Sequence, residues 1–196
     1  MERVSYDFIT PSAARGIIES IFWHPGLRWH IDKIHVCAPI QFDNIRRNEV
    51  SAKLSARNVQ AAVKTGAPLY LATPKVIQQR ATMALKNVRY VIEAHFSMTE
   101  KAAPGDNPGK FQDIAKRRIA KGQFYSMPYM GTREFPAFFA PAKDIPPCPK
   151  ELEGTKDFGY ILYDMDYSDP AEIRPQFFRA IMKDGVIDLT NVEVRG

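Results

Sequence analysis

Cysteine is scarce: the 196-residue chain holds two, Cys37 and Cys148, far apart and in no CxxC pair. That excludes a disulfide framework and fits a reduced, cytoplasmic setting. No apolar run approaches the roughly 18 residues that a membrane-spanning helix needs. The opening, MERVSYDF, mixes charge with aromatics and has no apolar stretch behind it, so neither a signal peptide nor a membrane partner is expected. There is no Walker loop, no GxGxxG and no GxSxG. Histidine is also sparse. His30 and His35 lie on one segment without a cysteine or carboxylate at ligand spacing, so no metal site and no cofactor are expected. Internal repeats and low-complexity tracts are absent.

What is present is an ordinary globular composition, 45% hydrophobic and 25% charged, which excludes collagen, coiled coil and wholesale disorder. Lys and Arg number 27 against 22 Asp and Glu, a net charge of +5. This mild excess permits a polyanionic partner without demanding one.

Thr10-Pro11 supplies a capping hydroxyl and a first-turn proline, and apolar residues from Ala13 to Phe22 recur at helical spacing up to His24-Pro25-Gly26. Leu27–Cys37 alternates as a strand whose phase slips between Ile31 and Ile34, the signature of a bulge. Residues 51–77 have weak periodicity and read as a mobile insertion. Val88, Tyr90, Ile92, Ala94, Phe96 and Met98 share one parity, predicting a long strand with one buried face. Gln79–Leu85 is expected to pair with it across Lys86-Asn87. A second helix is predicted from Pro108 to Lys121, capped by Asn107 and stopped by Gly122. A strand is expected near Arg133–Phe139, a Pro-rich linker at 141–149, a strand over Phe158–Tyr167, and a hairpin turning at Asp184-Gly185.

The cations concentrate in two places. Arg46, Arg47 and Lys53 sit at the start of the insertion. Lys110, Lys116, Arg117, Arg118 and Lys121 sit on the second helix, opposed there by Asp113. Lys110, Arg117 and Lys121 line one edge of its apolar arc, an arrangement that suits phosphate tracking, while Arg118 falls inside the arc with its stem packed and its head reaching out. Tyr125 and Tyr129 follow the helix as candidates for base stacking, although such aromatics more often pack. His95, on the polar parity of its strand, reads as a surface histidine.

Several segments resemble one known family in order along the chain: ERVSYDFITPSAARGIIESIFWHP from Glu2, IRRNEVSAK from Ile45, YVIEAHF from Tyr90, GTREFPA from Gly131 and DFGYILYDMD from Asp157. The family is the CRISPR-associated Cas-five family, in the subtype serving type I-C systems. The resemblance implies an α+β fold: a ferredoxin-like, RNA-recognition-type βαββαβ core over residues 1–140, plus a small C-terminal β appendage over 150–196. It also implies a first core strand ahead of Glu2, so this chain is expected to lack that strand, with the slot beside the Val88–Met98 strand either vacant or filled by another segment or chain. The implied partners are CRISPR repeat RNA, kept as the 5′ handle, other subunits of a surveillance complex and target DNA.

The implied activity is metal-independent endoribonucleolytic cleavage of precursor CRISPR RNA. Such chemistry needs a base for the 2′-OH, a cation for the phosphorane and an acid for the leaving oxygen. The family usually supplies a Tyr or His near the end of the first helix and a Lys-His pair entering the second. Here those positions are Phe22 and Lys110-Phe111. Lys110 is kept and both proton carriers are lost. His24 is the candidate substitute base, although read alone it is a helix-terminal histidine beside Pro25. The alternative is a non-catalytic subunit that caps the crRNA and contacts the target-DNA entrance.

Overall fold

The hydroxyl of Thr10 accepts the Ala13 N–H at 3.2 Å, and Pro11 fills the first helical position, so α1 (Pro11–Ile21) starts where the sequence signals it. The structure is a computed structural model and describes residues 3–196. Glu2, the first residue of the resembling segment, lies outside the described residues. In chain order the elements are β1 (Arg3–Val4), α1, β2 (Leu27–Val36), β3 (Phe42–Val50), α2 (Ala56–Thr65), α3 (Thr73–Val76), β4 (Ile77–Leu85), β5 (Tyr90–Met98), α4 (Pro108–Ala120), a 3-10 turn (Lys150–Leu152), β6 (Thr155–Asp166), β7 (Arg174–Lys183), β8 (Val186–Asp188) and β9 (Val194–Arg195).

The chain forms two compact units. The smaller combines the described residues through Ser5 with Gln41–Lys86, and the larger combines Tyr6–Ile40 with Asn87–Gly196. In the smaller unit β3 and β4 make an antiparallel ladder from Phe42↔Leu85 to Val50↔Ile77, with β1 parallel on the far side of β4. This corrects the expected pairing: β4 finds its partner in β3, not in the strand that follows it. Nine residue pairs outweigh a two-residue connector as a register signal. The segment 51–77 contains α2, capped by Ser55 and closed by Gly66 with φ of 71°, and α3. No apolar side chain of this unit is fully buried among the described residues.

The larger unit is α+β. Its six-stranded sheet runs β5-β2-β8-β7-β6, with β9 beside β7. The order α1, β2, β5, α4 follows a ferredoxin-like core from its first helix onward. β2 and β5 are antiparallel from Leu27↔Met98 to Val36↔Tyr90, and the register shifts between Ile31 and Lys33 where the slip in phase predicts a bulge. Among the described residues no strand pairs with the outer edge of β5. The consequence is visible in burial. Leu27, Trp29, Ile31 and Ile34 of β2 are buried, whereas Tyr90, Ile92, Ala94, Phe96 and Met98, which face the same way from β5, are half-buried.

Two expectations need correction. Arg133–Phe139 is not a strand: Thr132–Phe135 closes a turn, and a single bridge joins Tyr129 to Pro136, whose ring removes a ladder donor. The C-terminal strands are also not set apart, because β8 pairs with β2 and carries the sheet on into β7 and β6. The Asp184-Gly185 turn has φ of 47° and 76°, the left-handed pair that a two-residue hairpin needs. A side chain at Gly185 would meet Cys148 Sγ at 2.9 Å, so glycine is required there twice over. The core joins Ile17 and Ala14 of α1 to Ile34, Ile161, Phe178 and Met182 of the sheet. Arg15 adds a two-point ion pair to Asp164 of β6.

Candidate nucleic-acid interface

α4 is held to the sheet by an aromatic cluster. Phe111 is 1% exposed and Phe22 is 6% exposed, packed with Leu27, Trp29 and Ala115. The two phenylalanine rings lie 5.9 Å apart, and Trp29 Nε1 donates to the Phe22 carbonyl at 2.9 Å. The two positions that lack the expected proton carriers are therefore structural, and a benzene ring in each closes the seam between α1, β2 and α4.

Asn107 caps α4, accepting the Lys110 N–H at 2.9 Å. One residue earlier, Asp106 accepts from Lys110 Nζ at 2.8 Å and from the Ala103 N–H at 2.9 Å. The bond from Lys110, followed by that from Ala103, holds the Asp106 carboxyl below the usual carboxylate range. His24 Nδ1 stands 3.9 Å from the same carboxylate, and its ring lies 4.8 Å from that of Phe111. The structure thus brings Lys110 and His24 to one carboxylate. Sequence reading missed Asp106, which sat inside the run KAAPGDNPG and read as turn chemistry.

The role open to His24 changes in this setting. The Gly26 N–H donates to His24 Nδ1 at 3.0 Å. A neutral imidazole has one N–H, so the His24 proton sits on Nε2, and that edge is a donor rather than the base that the sequence suggested. The cluster offers a cation and a donor, both exposed enough to meet a phosphate.

The remaining cations divide by use. Lys116 and Arg117 are exposed on α4, and Lys121 is exposed at its C-terminal cap. Arg118 is turned inward, donating to the Ile21 carbonyl at 2.8 Å with its guanidinium 5.3 Å from the Phe22 ring. It ties α4 to α1. Arg46 is exposed on β3 and Lys53 follows that strand, while Arg47 reaches Thr82 Oγ1 at 3.4 Å. These three belong to the smaller unit. Tyr125 is 87% exposed, and its backbone N–H is anchored on the Ser20 carbonyl at 2.9 Å. Trp23, beside His24, is also exposed and was missed: within an apolar run, nothing in the sequence marked its ring as facing solvent. Among the described residues no three His, Cys, Asp or Glu side chains converge as a metal site, and no helix is long and apolar enough to cross a membrane.

Comparison with known proteins follows the same lines. Residues 1–190 match the family described as CRISPR-associated protein (Cas_Cas5), in its Cas5d form. The chain is 49% identical over 195 residues to a protein of Mannheimia succiniciproducens named CRISPR pre-crRNA endoribonuclease Cas5d, covering 96% of this chain and 86% of that protein. A protein of the same name from Thermus thermophilus is 36% identical over 178 residues, covering 90% of this chain and 69% of that one. A solved structure described as a CRISPR-associated protein superposes with a TM-score of 0.67 at 20% identity, over 99% of this chain and 88% of the other. A functionally uncharacterized protein of Streptococcus mutans superposes with a TM-score of 0.66 at 21% identity, over 98% and 87%. These two share the fold. With the fold, the segment order and the sequence identity in agreement, the chain belongs to the CRISPR-associated Cas5 family, in the Cas5d form that serves type I-C systems.

Proposed function

We propose that this protein binds the repeat-derived 5′ handle of CRISPR RNA and processes the precursor by metal-independent cleavage, in the cytoplasm, as one subunit of a surveillance complex that opens target DNA. The observation that carries the reading is the meeting of Lys110, Asp106 and His24 at the start of α4, the helix that also carries the exposed Lys116 and Arg117 and ends at the exposed Lys121. The names of the two curated relatives support it.

In this reading the exposed cations of α4 track RNA phosphates, and Arg46 and Lys53 add phosphate contacts from the smaller unit. Asp106 holds the Lys110 ammonium in one orientation, leaving two of its N–H groups for a phosphate oxygen as charge builds on the phosphorane. His24 presents Nε2–H as a donor to the departing oxygen. Tyr125 stacks a base. A second reading, a non-catalytic subunit that caps the crRNA, is favoured by the burial of Phe22 and Phe111, which leaves this cluster without a base.

The test is cleavage of a labelled cognate repeat RNA in EDTA by the purified protein and by Lys110→Ala. Cutting that Lys110→Ala slows, with a gel shift retained, supports the first reading. Tight repeat binding without any cutting supports the second. Binding no tighter than to an unrelated RNA defeats both.

A further inference from the structure

The chain has two tryptophans, and they face opposite ways. Trp29 is 7% exposed inside the aromatic seam, while Trp23 is 58% exposed. Tryptophan is highly buried on average, so an open ring needs a reason. Local geometry gives the immediate one. Phe22, the residue that caps the end of α1, has an extended backbone. Successive side chains of an extended chain point to opposite sides, so a Phe22 committed to the seam turns Trp23 out of it.

The backbone on both sides of Trp23 is pinned. The Ile21 carbonyl accepts from Arg118 of α4 at 2.8 Å, and the Phe22 carbonyl accepts from Trp29 Nε1 at 2.9 Å. Beyond Trp23, the His24 carbonyl accepts the Leu27 N–H at 3.1 Å, and the Pro25 carbonyl accepts from Thr99 Oγ1 at 2.6 Å. The carbonyls of the two residues before Trp23 and of the two after it are all engaged. The indole is therefore held by its backbone and not by packing of its own. A rigid ring left in water meets a ligand at small cost in conformational entropy.

Its surroundings select the ligand. The next residue, His24, belongs to the cluster at the start of α4 that presents the half-exposed Lys110. The Tyr125 N–H is seated on the Ser20 carbonyl at 2.9 Å, which fixes the exposed Tyr125 at the same end of α1. Two open rings thus flank the C-terminal end of α1, and α4 supplies cations beside it. Phosphates need cations and unpaired bases need aromatic faces, so this combination suits a single strand of nucleic acid.

We propose that Trp23 is a stacking platform for an unpaired RNA base that flanks the phosphate met by Lys110. This rests on the RNA-processing reading above and extends it from the phosphate to the nucleotide beside it. Consecutive Cα atoms stand about 3.8 Å apart, so His24 and Trp23 address adjoining parts of one strand. Lys110 and His24 hold the phosphate, and the indole takes the base that splays away from it. Every base has a π-face, so the contact gives affinity and fixes the position of the strand without choosing among the four bases. Trp23 is a binding residue and takes no part in proton transfer.

The test titrates cognate repeat RNA, kept uncut by a 2′-deoxy nucleotide at the scissile position, into the unaltered protein, Trp23→Ala and Trp23→Phe. Stacking on the indole should lower tryptophan emission in step with binding and shield Trp23 from acrylamide, whereas the buried Trp29 is shielded throughout. Trp23→Ala should abolish that drop and weaken binding by about 5–150-fold, with the salt slope and the melting temperature unchanged. Trp23→Phe should recover part of the affinity. A walk of single abasic nucleotides along the repeat should find one position that costs the unaltered protein affinity and costs Trp23→Ala nothing, while exchanging that base for another costs little. Specific repeat binding by Trp23→Ala at the unaltered affinity, or an abasic walk that costs both proteins equally at every position, overturns the proposal and leaves the α4 reading standing. Binding by the unaltered protein no tighter than to an unrelated RNA overturns both.

Discussion

Restoring the family's expected Lys-His pair by Phe111→His should damage this protein rather than activate it. Phe111 is 1% exposed, and its ring meets those of His24 at 4.8 Å, Phe22 at 5.9 Å and Phe96 at 6.4 Å. Burying a phenylalanine stabilises by about 1.5–3 kcal/mol, and much of that is lost with an imidazole. A buried ring nitrogen without a partner adds about 1–3 kcal/mol. Together these give about 3–5 kcal/mol, similar to Phe111→Ala, out of a total stability of about 5–15 kcal/mol. The pH dependence separates the two variants. An imidazole held in this apolar seam resists protonation, so its folded pKa falls below the unfolded value of about 6.5. The unfolded chain then binds the extra proton first, and stability drops as pH falls through that value. Urea unfolding followed by tryptophan fluorescence, reporting Trp29 against Phe96 at 5.3 Å, should show Phe111→His near Phe111→Ala at pH of about 8 and weaker at pH of about 5.5. Unchanged stability together with faster RNA cutting would refute the reasoning, because it would mean that the seam holds a partnered, accessible imidazole.

Three other outcomes are expected. Arg15→Ala should cost about 3–5 kcal/mol, because it strands Asp164, 9% exposed, without its cation; urea unfolding of the Arg15→Ala/Asp164→Ala pair should recover part of this, and a double variant as weak as the sum of both singles would count against it. Lys116→Ala, Arg117→Ala and Lys121→Ala should each reduce the salt slope of repeat-RNA binding by about 0.7, whereas Arg118→Ala should lower the melting temperature by freeing α4 from Ile21 and Phe22; equal slopes for all four variants would contradict the division. His30 has its pKa lowered by burial and by His95, so its contribution is whole above the unfolded value of about 6.5 and is lost as pH falls through it; His30→Gln should therefore lose less melting temperature on acidification than the unaltered protein, and an equal loss would refute the assignment.

Local signals carried much of the fold. The Thr10-Pro11 start, the Asn107 cap and the Asp184-Gly185 turn depend on residues within a few positions of one another, so each was legible in the sequence. The bulge was legible too, because a phase slip between Ile31 and Ile34 is written along one strand. Partners chosen across long loops were not. β4 read as the mate of β5 because they are adjacent, while its true partner β3 is separated from it by the 26 residues that hold α2 and α3. Likewise β8 pairs with β2 from the other end of the chain. The candidate site divided the same way. Lys110 stood out beside its helix cap. Asp106 did not, since a turn aspartate is ordinary until a lysine and a histidine are seen to converge on it. Outside the site, His95 could be placed on the polar parity of β5, but its hydrogen bonds to Asp32 at 2.8 and 2.9 Å need the bulge and the exact-register partner His30 together.

That last pairing and the seat of α4 rest on one structural fact. Along β2 and β5, side chains alternate between faces, so Trp29 and Phe96 point to α4 while His30 and His95 point away from it. The inner set fixes where α4, and with it Lys110, stands. The outer set fixes the imidazole pair. A one-residue slip of β5 against β2 would exchange the faces, burying His95 and exposing Phe96. The bulge at Asp32 is where such a slip is absorbed: it restores the inward phase at Ile34, which is fully buried, and spends its extra residue on the outer face. A chain that merely needed a continuous strand would do better without the bulge, since an unpaired residue weakens the ladder. What the bulge adds is the carboxylate on His95. Deleting it by removing Asp32 outright should therefore shift Lys33–Val36 to the wrong faces, whereas Asp32→Ala should keep the fold and lose only the orientation of the imidazole.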